Sequence, residues 1–94
     1  MTTTTLPLDL AAHIETPEDV ALFLQASFDG GTPAEIGHAL GIVARSTGMA
    51  ALAEKAGVPR QTLYKALSAE GNPSLDTFVK IIRALGLKLV AEAA

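Results

Sequence analysis

Within six consecutive positions, Arg60, Gln61, Thr62, Tyr64 and Lys65 gather five hydrogen-bonding side chains of different reach. Arginine pairs bidentately with guanine and glutamine with adenine on the major-groove edge, whereas lysine and tyrosine suit phosphates at the groove rim. Helical spacing sets Leu63 and Leu67 with Leu52, Ala56 and Val58 on an apolar face, so these polar residues point outward together. Two short helices meeting at Gly57, within the stretch Ala50 to Leu67, must position them. Glycine tolerates the left-handed backbone that a sharp helix stop needs. Ala53 is small enough for the second helix to cross closely over the first, and Leu63 points back into the angle between them. The pattern reads as a helix-turn-helix whose second helix meets double-stranded DNA. Two packed surface helices with a solvated polar face would also use a glycine, but the combined spacing favours DNA. Arg60, Gln61 and Lys65 are the leading candidates for contact, followed by Thr62 and Tyr64. Asn72 and Ser74 are candidates for DNA-backbone contacts from the loop that follows.

The net charge of −3 is unusual for such a partner until its distribution is read. Residues 1–44 hold six acidic and no basic residues, while residues 45–94 hold all seven basic residues against four acidic ones, giving −6 and +3. The two ends of the chain should therefore prefer partners of opposite sign.

Composition narrows the class further. Ninety-four residues allow one small domain, stable alone if its helices pack well or if it dimerises. With three phenylalanines, one tyrosine and no tryptophan, the core falls to leucine, alanine, valine and isoleucine, which suits helices. The absence of cysteine excludes disulfides and thiolate metal sites and fits a reducing cytoplasm. No apolar run approaches the roughly 18 residues of a spanning helix, and the threonine-rich start lacks the basic region of a signal peptide. A soluble cytoplasmic protein with no membrane partner is expected. His13 and His38 have no spacing that brings a carboxylate or second histidine into a metal or catalytic set. Ser27, Ser46, Ser68 and Ser74 lack a nucleophile-elbow context, and no glycine loop could cradle a phosphate. The expectation is no enzyme, no cofactor and no metal.

Along the chain, residues 1–15 read as a flexible or extended lead-in, and residues 16–94 as a single helical domain with the helix-turn-helix at about 49–68. Thr16-Pro17-Glu18-Asp19 opens a helix to about Asp29, with Val20, Phe23, Leu24 and Phe28 on one face and Gly30-Gly31 as its stop. Thr32 and Glu35 form a capping box for a second helix through Ile36, Leu40 and Val43 to about Ser46. Gly37 and Gly41 lie on one stripe of it, which predicts a close helix crossing. After the helix-turn-helix and a loop over residues 69–73, Ser74 caps a fifth helix bearing Leu75, Phe78, Val79, Ile82 and Leu85 on its apolar face, ended by Gly86. Residues 87–92 have the length and loose alternation of a strand, but a lone strand needs a partner. That partner is a two-fold mate, a sheet edge on another protein, or none if the segment frays. The predicted fold is all-α: five helices with a short C-terminal β-strand wherever an edge is supplied.

The residues Gly48 to Gly57, Leu63-Tyr64-Lys65-Ala66-Leu67-Ser68, Gly71-Asn72-Pro73-Ser74 and Ala84-Leu85-Gly86-Leu87 resemble the addiction-module antidote family, antitoxins with a phage-repressor-like helix-turn-helix. The similarity extends upstream to Leu8-Asp9 and Thr16-Pro17-Glu18-Asp19, about residues 8–90 in all. The resemblance implies an antitoxin that binds a small basic toxin, typically of the RelE/ParE superfamily, and represses the operon encoding both. Asp9, Glu15, Glu18, Asp19 and Asp29 are then the candidates for toxin contact, although acids at a helix start also complement its dipole. Two positions depart from repressor-like domains. Pro59 stands where a capping serine or threonine is common, and Met49-Ala50 stand where a hydroxyl or amide would reach a phosphate. Pro59 fits a first helical position, and Val58 before it cannot cap. The donors of Arg60 and Gln61 are left to meet a phosphate instead. A homodimer would place two recognition helices in successive major grooves. Two alternatives remain: a stand-alone helix-turn-helix repressor, and a protein-interaction module that has lost DNA binding.

Overall fold

Two threonines start two helices by the same chemistry. The Thr16 hydroxyl accepts the Asp19 N–H at 3.1 Å while an Asp19 carboxylate oxygen accepts the Thr16 N–H at 3.2 Å. The Thr32 hydroxyl and Glu35 repeat the exchange at 3.1 and 2.9 Å. Each box satisfies two backbone donors that a helix start leaves without partners, and the proline at the first helical position had no N–H to satisfy. These boxes open α1 (Pro17–Phe28) and α2 (Pro33–Thr47), followed by α3 (Met49–Ala56), α4 (Arg60–Ala66) and α5 (Leu75–Ala84). The computed structural model describes residues 14–68 and 71–94; over these the chain is all-helical, as expected. Most of the expected lead-in, with Asp9 and His13, lies outside the described residues. Ile14 packs against the core, and the Glu15 N–H donates to the Asp19 carboxylate at 3.1 Å.

Helix α3 is the hub, packing against α2, α4 and α5, while α1 packs against α2. One core runs through all five helices: Leu24, Leu40, Val43, Leu52, Leu63, Ile81 and Ile82 are completely buried. Each such side chain contributes about 1.5–3 kcal/mol by leaving water. Among the described residues no polar or charged side chain is buried, so specificity rests on shape. The Phe28 and Phe78 rings meet at 6.4 Å and 54°, tying the end of α1 to α5.

Three expectations change at residue level. The close approach on the glycine stripe occurs at Gly41 alone, where an added Cβ would lie 3.3 Å from the Leu67 carbonyl oxygen; at Gly37 it would meet nothing within 4 Å. Leu75 is 75% exposed because it starts α5 beyond the edge of the core, and Ile81 takes the buried place on the face with Ile82 and Leu85. No strand forms over the described C-terminal residues. The Leu87 N–H bonds to the Ile82 carbonyl at 3.1 Å and closes the turn at Gly86. Beyond it Leu89 and Val90 are 52% and 69% exposed, since a single chain offers this segment no second strand. Gly86 rests on Pro17: a Cβ there would come within 3.2 Å of the proline ring.

Candidate nucleic-acid interface

The angle between α3 and α4 is built by backbone. Gly57 adopts φ 73°, ψ 32°, the left-handed conformation expected of it. Its N–H donates to the Glu54 carbonyl at 3.2 Å and the Val58 N–H to the Ala53 carbonyl at 3.1 Å, a pair of bonds that closes the end of α3. Ala53 and Leu63 lie buried in the core, as the sequence required. Pro59 is the residue just before α4, extended at φ −61°, ψ 147°, so the first helical position belongs to Arg60 and not to the proline. No side chain caps α4, and none caps α3, whose cap position is Gly48.

Leu63, Ala66 and Leu67 anchor α4, and Arg60, Gln61, Thr62, Tyr64 and Lys65 are all exposed, with half of Tyr64 accessible. The predicted residues divide into two groups. Thr62, Lys65, Asn72 and Ser74 come together around a cleft of about 570 Å³, whereas Arg60, Gln61 and Tyr64 lie outside it. Ser68 and Thr77 also line the cleft, and sequence reasoning missed both. Thr77 was signalled by its place three residues after a capping serine: the Ser74 hydroxyl accepts the Thr77 N–H and donates to the Thr77 hydroxyl, each at 3.1 Å. Ser74 is thus first a helix cap. The Ser68 hydroxyl donates to the Lys65 carbonyl at 2.9 Å, and the Gly71 N–H to the Ser68 carbonyl at 2.9 Å. Gly71 has no room for a Cβ, which would run into the Lys65 and Ala66 carbonyls, so the returning loop sits directly on the end of α4.

Glu15, Glu18 and Asp19 lie together at the start of α1, and Asp29 at its end. Glu15, Glu18 and Asp29 are exposed, while Asp19 is occupied in its capping box. Asp9 lies outside the described residues. His38 is exposed on α2, and among the described residues no three histidines or carboxylates stand close enough to hold a metal. Among the same residues no helix is long and apolar enough to cross a membrane.

The sequence pattern of a family described as "Probable addiction module antidote protein" matches residues 4–93. An uncharacterised protein of Haemophilus influenzae is 39% identical over 80 residues, covering 85% of this chain and 82% of that protein. No solved structure matches the chain. The pattern spans the capped helices, the turn at Gly57 and the loop before α5 alike, and the chain belongs to the addiction-module antidote family.

Proposed function

We propose that this chain is the antitoxin of a type II toxin–antitoxin module. It neutralises a small basic toxin of the RelE/ParE superfamily and represses its own operon by sequence-specific DNA binding in the cytoplasm. The observation carrying the DNA part is the exposed polar face of α4, held out by buried Leu63 and by the left-handed turn at Gly57. In this reading Arg60 and Gln61 read base edges, and Thr62, Tyr64 and Lys65, with Asn72 and Ser74, hold the DNA backbone. The chain acts as a homodimer whose two α4 helices enter successive major grooves, about 34–36 Å apart. Leu89 and Val90, exposed and without an in-chain strand, supply the natural edge for the two-fold mate.

The first test is co-purification of the tagged chain with the protein encoded by the adjacent reading frame, followed by a salt titration. A stoichiometric complex weakened by salt is expected. Charge reversal at Glu18, exposed and outside the capping box, should weaken it; unchanged affinity removes Glu18 from the interface. No complex, together with tight operator binding, would make the chain a stand-alone repressor. The uncapped starts of α3 and α4 favour a second reading, an interaction module without DNA binding. Salt-dependent DNA binding, with affinity falling steeply as phosphate contacts are screened, would overturn it.

A further inference from the structure

One feature of the N-terminal half stands apart from the α4 face and reaches the core only at its floor, through Phe23 and Ala39. Between α1 and α2 the surface opens into a groove of about 850 Å³ lined by Leu22, Phe23, Ile42, Asp29, Glu35 and His38, among others. Leu22 is 71% exposed in the middle of α1, and Phe23 and Ile42 are half-buried. An apolar groove between two helices is the shape that accepts the apolar face of a third.

Charge selects among occupants. The described residues up to Ala44 carry Glu15, Glu18, Asp19, Asp29 and Glu35 and no lysine or arginine. Two of these acids line the groove itself. A symmetric contact with a second copy would set acid against acid across a partly desolvated surface, which is unfavourable. A basic helix would set lysine or arginine beside Asp29 and Glu35 while its apolar side chains covered Leu22, Phe23 and Ile42. We infer that this groove is the docking site for an amphipathic, basic helix of the toxin. The inference rests on the antitoxin reading and gives it a place on the molecule. No residue of α4 lines the groove, so toxin and DNA can be held at once.

The test uses the full chain and the product of the adjacent reading frame, with affinity measured by calorimetry. Leu22→Glu changes an exposed helical position, and Asp29→Lys puts a cation at a helix end where the dipole welcomes it, so both variants should fold. Each should weaken the complex by about ten-fold or more, as truncation at the centre of an interface does. Gln25→Lys, on α1 outside the groove, should weaken it far less, and DNA binding by Leu22→Glu should stay at the wild-type level. Amide exchange of the wild-type complex should show new protection in α1 and α2. Wild-type binding that both groove variants retain, with no protection there, overturns the groove and leaves the antitoxin reading standing. No binding by the wild-type chain overturns both. A dimer that Leu22→Glu dissociates in sedimentation would show that a second copy occupies the groove, which also overturns the proposal.

Discussion

The first pair of helices and the second pair begin in opposite ways. Helices α1 and α2 each open with a threonine cap, a proline and an acid bonded back to the cap, and each has acidic charge in its first turn. Helices α3 and α4 open at Gly48 and Pro59 with neither a side-chain cap nor an acid. A capping side chain is worth about 1 kcal/mol, so the first pair is specified by its own local sequence. The second pair, eight and seven residues long, is too short to persist alone and depends on Leu52, Ala53, Leu63 and Leu67 being buried. Its first-turn amides and the positive ends of its dipoles are left uncompensated by the chain itself. The half that carries the exposed polar face of α4 is thus ordered from behind, by packing, and open in front.

The largest effect expected from this contrast is at Leu63. Leu63→Ala should cost about 2–5 kcal/mol in urea unfolding, because a completely buried leucine leaves a cavity. Because one core joins all the helices, the amides of α1 and α2 should lose exchange protection with those of α3 and α4. Loss confined to α3 and α4 would mean that the halves unfold separately. Next come the proposed DNA contacts. Gln61→Ala should lose about 1–3 kcal/mol of discrimination between operator and random DNA. Lys65→Ala should weaken both and reduce the salt slope by about one. Equal loss on both sequences from Gln61→Ala would remove it from base reading. Thr16→Ala and Thr32→Ala should each cost about 1 kcal/mol, nearly additively, since the two boxes share no partner. The smallest effect belongs to Pro59→Ser, read by thermal unfolding. The cap gained and the chain restriction lost offset each other, leaving stability within about 1 kcal/mol of wild type. A larger gain would show that α4 is limited by its missing cap and not by its packing.

Legibility in the sequence follows the range of the interactions. The capping box at Thr32, the threonine start at Thr16 and the stop at Gly57 were readable because each is complete within a few residues. The outward face of α4 was readable because Leu63 and Leu67 fix its phase. Gly37 and Gly41 share a stripe, yet only at Gly41 does a neighbour come close, the Leu67 carbonyl brought in from the end of α4. Leu75 looked buried because periodicity reports which side of a helix a residue lies on, and not where the core ends. The groove was hidden for the same reason: Leu22 and Ile42 are apolar whether or not a neighbour covers them, and their exposure depends on how α1 and α2 diverge. The grouping of Thr62, Lys65, Asn72 and Ser74 needed the loop to return onto α4, which Gly71 permits.

The contact between Gly86 and Pro17 makes the helical core nearly a closed circle of chain, its last turn lying on its first. The order in which the helices are written is then incidental to how they are held. A permuted chain that joins the segment after Gly86 to the one before Pro17, and opens at Gly30, should assemble the same core.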